Sequence, residues 1–330
     1  MDPESVASLG VPLKVARTAL AVAAALVLVW IGRRNASDLS RVHLHLQVGW
    51  LLASLPPYAL GSLLLALGWR TELDAFGHRL RIGVAIRVWW RAQLARYVPT
   101  GLAAFASRAA LARQEGVPPS IGAASLAVEL ATLILWGTLG AAFGLTFALP
   151  LRLALGCGAA LGLLALPVVY RRAASIAALG RRFPAVAPLA ATPARPGRMY
   201  EAIGCYGLSI LVKSVSFVLF SAALITTRPG DAWLLGGAVQ GAAVIGIIGI
   251  TPAGIGVRET AMVGLLSHRF GTTDAAALAI AWRAYEFAFE LGWLAVGSAF
   301  RRPRSKNLAP GGTASPGAAT EAQPGATGAR

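Results

Sequence analysis

The sequence predicts an all-α, polytopic membrane helical bundle of six to eight crossings, with two broken or re-entrant segments. Three observations predict it. The 330 residues are 56% hydrophobic and 13% charged, where a soluble domain carries about a quarter charged residues, and mean hydropathy is +0.63. Apolar runs close to the roughly 20 residues needed to cross a bilayer recur along the chain. Two stretches are interrupted by Pro and Gly with ionisable residues nearby: Tyr97-Val98-Pro99-Thr100-Gly101 ahead of Arg108, and Gly249-Ile250-Thr251-Pro252-Ala253-Gly254-Ile255-Gly256-Val257-Arg258-Glu259. Irregular backbone at membrane depth survives only where it is packed in protein or lines a wet cavity. Two interrupted segments in corresponding places point to a transporter's central site.

Taken in order, Val15–Gly32 is the first span. Lys14 and Arg17 precede it, and Arg33-Arg34-Asn35 follows without a small-x-small cleavage site, so it reads as a retained span and not a signal peptide. Val48–Trp69 is the second. Ile82–Leu111 holds Arg87, Arg91, Arg96 and Arg108 beside Trp89-Trp90, and reads as an interfacial amphipathic helix leading into a turn at Pro99 and Gly101. Ser120–Phe147, Leu151–Tyr170 and Ala202–Thr226 are further spans. Trp233–Ile248 is short, and so is Val257–Leu266 after the second break; Ala275–Phe300 is the last span. Cys157 and Cys205 fall in apolar runs without metal-ligand spacing and read as small buried hydrophobes. Residues 1–304 thus form the transmembrane domain. Residues 305–330, rich in Gly, Pro, Ala, Ser and Thr, cannot bury enough surface to fold and are expected to be a disordered cytoplasmic tail.

The net charge is +16. The basic residues lie between apolar runs, so topology and anionic headgroups explain them and no nucleic-acid partner is expected. Residues 70–118 carry eight Arg against three acids, residues 171–198 carry six Arg and no acid, and Arg301-Arg302-Pro303-Arg304 follows the last span. Placing all three in the cytoplasm satisfies the positive-inside rule and puts both termini there, in a multi-pass protein of the cell inner (plasma) membrane. The loop with Arg33, Arg34 and Arg41 then lies outside, against the rule. Each interrupted segment enters and returns, the two from opposite sides, which is the arrangement of an inverted repeat. The residues themselves show no convincing repeat beyond the matching Pro-x-Gly breaks.

Ionisable groups at membrane depth are functional candidates. In the second break Pro252 removes a donor, Gly254 and Gly256 permit positive φ, and the helix that starts near Val257 aims free N–H groups at the break, where an anionic group is favoured. Glu259 complements that helix dipole, and Arg258 can hold a phosphate bidentately. Arg108, nine residues after Pro99, reaches a central cavity if Thr100–Leu111 is a half-helix. Glu129 sits about ten residues into its span and must pair or take a proton. Arg283, Glu286 and Glu290 share one helical face, and Lys213 needs a carboxylate. Each of these also has a bland reading, as a structural ion pair or a snorkelling Arg. Tyr206, Gln240 and Tyr285 are additional hydrogen-bonding groups. Nucleophile elbows, zinc-binding helices and phosphate loops are missing from the sequence, so neither enzyme activity, nor a cofactor, nor a metal is expected. His43-x-His45 falls on a predicted outer loop.

This pattern is similar to the membrane region of lysylphosphatidylglycerol synthetases and their stand-alone, flippase-like relatives. The residues that carry the resemblance are Tyr97-Val98-Pro99-Thr100-Gly101 with Arg108, then Glu129, then Thr251-Pro252-Ala253-Gly254-Ile255-Gly256-Val257-Arg258-Glu259, then Gly271-Thr272-Thr273 and Arg283. The first break departs from the family's pattern, with Thr100 where Gly is common nearby. The resemblance implies movement of a lipid, aminoacylated or glycosylated, between leaflets. The aminoacyl-transfer domain of full synthetases follows the membrane region, and only about thirty residues follow Phe300 here, so lipid aminoacylation by this chain is not expected.

The expectation is therefore translocation of a membrane lipid or lipid-linked sugar, anionic or with a modified headgroup, through a polar cavity. Arg108, Glu129, Arg258, Glu259, Arg283 and Glu286 would form it, with Pro252, Gly254 and Gly256 shaping the break. An ion-coupled transporter of a small solute, or a non-transporting partner of a lipid- or polysaccharide-modifying enzyme, fits the same features.

Overall fold

In the computed structural model the described residues are 46–93, 103–175, 195–249, 254 and 256–299. Val15–Gly32, His43 and His45, the first break at Tyr97–Gly101, most of the basic loop at 180–198, Pro252 and the tail at 305–330 lie outside them. All regular structure among the described residues is helical: α1 Val48–Ala75, α2 Ile82–Gln93, α3 Ala103–Gln114, α4 Pro119–Gly144, α5 Leu149–Ser175, α6 Pro196–Leu224, α7 Asp231–Ile248, α8 Val257–Phe270 and α9 Thr272–Ala299. Five of these, α1, α4, α5, α6 and α7, are long and apolar enough to cross a membrane. Helix α9 has the length but carries Arg283, Glu286 and Glu290 inside it.

Helices α1 and α6 form the most extensive helix pair of the bundle, and they run antiparallel. Gln47 N–H donates to Ala223 O at 2.9 Å, Ser216 Oγ to Ser54 O at 2.8 Å, Ser209 Oγ to Gly61 O at 2.8 Å and Arg195 N–H to Ala75 O at 3.4 Å. Each step forward on α6 is a step back on α1. Gly61 lies at the centre of the crossing; a Cβ there would stand 2.6 Å from Lys213 Cγ and 3.1 Å from Ser209 O. Gly61 and Ser209 are 148 positions apart. The same separation relates Tyr58 to Tyr206 and Trp69 to Phe217. The pair thus has an approximate two-fold axis through its midpoint, perpendicular to both helices.

The rest of the chain follows that axis. Each helix of the pair leads into a helical hairpin and then a long helix: α2–α3 and α4 after α1, α7–α8 and α9 after α6. In the first hairpin Ser107 Oγ donates to Ala92 O and Arg87 pairs with Glu115, so α2 and α3 are antiparallel. In the second, Gly246 packs on Arg258 and Gly241 on Leu265. The two Pro/Gly breaks fall in the sequence between α2 and α3 and between α7 and α8. Because α1 and α6 are antiparallel, the hairpins enter from opposite ends of the bundle, as an inverted repeat requires. The described parts of α2 and α3 are 12 residues each, about 18 Å of helix. The halves interlock: α4 packs on α7 and α9 on α2, with Trp90 stacked on Trp293 at 3.9 Å.

Two sequence expectations need correction. Helix α2 does not lie across the surface. Val84–Trp90 and Ala92 are buried, because Arg87 is neutralised by Glu115 at 3.1 Å and both tryptophans pack inward. Cys157 is exposed, not buried. It lies on α5, a peripheral helix whose exposed Leu161, Leu164, Val168 and Val169 form an apolar outer face suited to lipid.

Candidate functional site: two buried ion-pair clusters

The core divides into two, one at each end of the α1–α6 pair. One is built on Trp69, Leu73, Trp89, Trp90, Ile121 and Ile203. The other is built on Tyr58, Phe217, Phe220, Leu235, Leu266 and Trp282. Each holds a cluster of charged groups, and in each an Arg on the second helix of the hairpin reaches a Glu on the next long helix.

In the second half the tip is shaped by glycine. Gly254 and Gly256 have φ of +68° and +84°, which L side chains rarely adopt. A Cβ on Gly254 would stand 3.1 Å from Gly246 Cα, whereas the space beside Gly256 is open. Only Gly254 is therefore constrained by crowding as well as by conformation. Helix α8 starts at Val257 as expected. Glu259 Oε2 accepts the Gly256 N–H at 2.6 Å and so satisfies one of the free donors of that helix end.

Arg258 projects from the first turn and meets Glu286 on α9 in a two-point bond, Nη1 to Oε2 at 2.7 Å and Nη2 to Oε1 at 2.9 Å. Arg283 sits between two carboxylates, 3.6 Å from Glu259 Oε1 and 3.6 Å from Glu286 Oε2. Lys213 on α6 lies over the Tyr58 ring at 4.7 Å and adds a third positive charge close enough to act on Glu286. Among these residues three cations meet two carboxylates. Arg258, Glu259, Met262, Ala279, Trp282, Arg283 and Glu286 line one crevice, which in this conformation has no room for a water molecule. Side chains of Arg258 and Glu259 keep 15% and 21% of their surface exposed. The crevice is therefore closed but not sealed.

Behind the charges stands an aromatic wall. Trp282 stacks on Tyr285 at 5.0 Å, and Tyr58 meets both rings edge-on at 5.6 and 5.3 Å. Such rings exclude water and strengthen the ion pairs beside them.

In the first half, Arg108 on α3 and Glu129 on α4 approach to 2.7 Å, and both are buried. The contact is a close ion pair whose atoms are off the hydrogen-bond line. The Arg108 guanidinium lies over the Trp69 ring at 5.5 Å, and Trp69 Nε1 donates to Ser125 Oγ at 3.2 Å. Glu72 on α1 completes the cluster, taking the Tyr206 hydroxyl at 2.7 Å.

The structure thus separates the six charged residues that the sequence assigns to one cavity. Arg258, Glu259, Arg283 and Glu286 converge; Arg108 and Glu129 do not join them. From Tyr58 to Glu72 the two clusters are about 21 Å apart along α1. The physical reason is the two-fold axis, which places one Arg–Glu pair at each end. Within the last span, Glu286 pairs chiefly with Arg258, and its contact with Arg283 is the weaker one. Tyr206, Gln240 and Tyr285 all make hydrogen bonds: Gln240 Nε2 donates to Ser214 Oγ, and the Tyr285 hydroxyl oxygen accepts from Ser54 Oγ at 3.2 Å.

Sequence reasoning missed Glu72. It ended the span at Trp69 and assigned what followed to a basic loop. The helix runs one and a half turns further, to Ala75. The signal was an acid one turn beyond an apolar run, with no Pro or Gly between to stop the helix. Tyr58 was also missed, because a lone Tyr in a span has no distinguishing pattern.

A family model described as the lysylphosphatidylglycerol synthase TM region matches residues 16–293. No curated protein and no solved structure matches the chain.

Proposed function

This chain belongs to the lysylphosphatidylglycerol synthase TM-region family, and from that premise we propose that it moves an anionic lipid, or a lipid-linked sugar, between leaflets. The observation that carries the reading is the cationic crevice at the second hairpin tip. Three cations and two carboxylates meet there inside an apolar bundle, and ion pairs at membrane depth are costly to maintain without a use. A phosphate has the geometry to take the place of Glu286 on the Arg258 fork, with Arg283 and Lys213 neutralising the carboxylate it displaces. Acyl chains stay in the bilayer, so the crevice need admit only the headgroup. The reaction is transport, with no covalent change to the lipid. Both termini face the cytoplasm, and the membrane is the plasma membrane.

The test uses the purified protein in vesicles with a fluorescent anionic phospholipid and a membrane-impermeant quencher. Arg258→Ala removes one charge-assisted contact, worth about 1.5–3 kcal/mol, and should slow translocation roughly 10- to 100-fold. Glu259→Gln keeps the cap on Gly256 but loses the charge beside Arg283, and should change the rate as well. If both variants translocate at the wild-type rate, the crevice is not the headgroup site.

A further inference from the structure

We propose that the acidic cluster in the first half, Glu72 with Glu129 and Arg108, is a proton-binding site that couples transport to a proton gradient. The inference rests on the transport reading above for its coupling, but not for the site itself.

The cluster is the two-fold counterpart of the cationic crevice, with the opposite charge balance. Trp69 stands where the other half has Phe217, and Tyr206 where it has Tyr58. The position equivalent to Glu72, at the same 148-residue separation, is Phe220, an apolar ring against Trp282 and Tyr285. Glu72 is thus an acid added to one half only. Among the described residues the site holds two carboxylates and one guanidinium, an excess of one negative charge in a fully buried place. A single proton makes it neutral.

Glu72 also has an atom prepared for that proton. Its side chain is completely buried. Oε2 is bonded to Tyr206, but Oε1 has no hydrogen-bond partner. A buried acceptor left unpaired is expensive, and protonation turns it into a donor or removes its charge. The groups acting on Glu72 come from every side: Glu129 from α4, Arg108 from α3 and the Tyr206 hydroxyl from α6. From α2, the buried Arg87 is held by Glu115. Among the described residues Arg108 is the cation that offsets the two acids, and it is engaged with Glu129. Glu72 lies about one turn from the end of α1, where Asp74 meets the exposed Arg195 and Arg198, so the path from bulk water is short. The proton is taken from that water and returned to it, with no other bond made or broken.

The coupling route is the α1–α6 pair. Tyr58 and Lys213, which belong to the cationic crevice, ride on the same two helices as Glu72 and Tyr206. A change in the Glu72–Tyr206 bond acts on the pair that shapes the headgroup site.

Two measurements decide this. Infrared difference spectra of the wild-type protein between alkaline and acid buffer should show one buried carboxylic C=O band. Glu72→Gln should remove it, and Tyr206→Phe, which takes away only the donor, should shift it; Tyr206→Phe stands alone if the Gln variant does not fold. In vesicles, a pH gradient at clamped membrane potential should accelerate fluorescent-lipid translocation several-fold in the wild type, and Glu72→Gln should lose that dependence while still translocating. No band, or a band unchanged by both substitutions, overturns the proton site. A band that behaves as expected beside an unaltered gradient response in Glu72→Gln overturns the coupling. Absence of any translocation by the wild type overturns the transport reading, and the infrared result still decides the proton site.

Discussion

Glu286 holds more of the structure than its partner Arg258 does. Remove Arg258, and Glu286 still has Arg283 at 3.6 Å and Lys213 nearby. Remove Glu286, and Arg258 loses both ends of its two-point bond, while Arg283 keeps Glu259 at 3.6 Å. Breaking a buried pair by deleting one member costs about 3–5 kcal/mol when the remaining charge has no substitute. Glu286→Ala should therefore lose about that much stability in thermal unfolding in detergent, and Arg258→Ala distinctly less. The opposite order would show that Arg283 does not serve as the second partner of Glu286. At this scale the sequence was partly legible. Arg258, Glu259, Arg283 and Glu286 stand out because charge is rare in apolar runs. Their pairing was not legible, because i, i+3 spacing on α9 makes Arg283–Glu286 look like the main bond, and only the position of α8 shows that Arg258 has the better geometry.

The elements depend on a few close approaches that only glycine permits. At Gly61 the α1 backbone lies against α6, and at Gly144 and Gly237 the backbones of α4 and α7 touch: a Cβ on Gly237 would stand 2.7 Å from Gly144 Cα. Gly237→Leu should force α4 and α7 apart and lower the midpoint of thermal unfolding, by about 1–3 kcal/mol or more of overpacking, whereas Gly158→Leu on α5, which meets nothing within 4 Å, should leave it unchanged. Equal effects of the two would refute the packing. The ends of the spans were readable to within about six residues, since apolar runs and Pro/Gly breaks mark them, but the polar ends of α1 and α6 were cut short. The burial of α2 was not readable. Its two arginines, Arg87 and Arg91, look interfacial until Glu115, just past the end of α3, is brought back to Arg87.

For the molecule as a whole, the two-fold relation was suggested by matching breaks alone and could not be seen in the residues. Only positions near the axis keep recognisable partners, because two halves facing opposite sides of a membrane need packing of similar shape and not of similar identity. Its clearest trace, Tyr58 and Tyr206, lies at equal depth from opposite ends. The Arg distribution adds a directional expectation: cysteines placed near Arg228 and Asp274 should be labelled from outside, and those near Arg181 only after the membrane is opened. Labelling of the Arg181 position in sealed cells would reverse the orientation. The antiparallel crossing at Gly61 and Ser209 carries one more consequence. A body whose halves are related by an axis lying in the membrane has two conformations of itself for every asymmetric one, obtained by letting each half take the shape of the other. Were the halves chemically identical, the two states would be equal in energy and the protein would idle between the leaflets. Glu72, at the position where the other half has Phe220, breaks that equality, and under the proposed transport a proton on Glu72 would bias which leaflet the molecule faces.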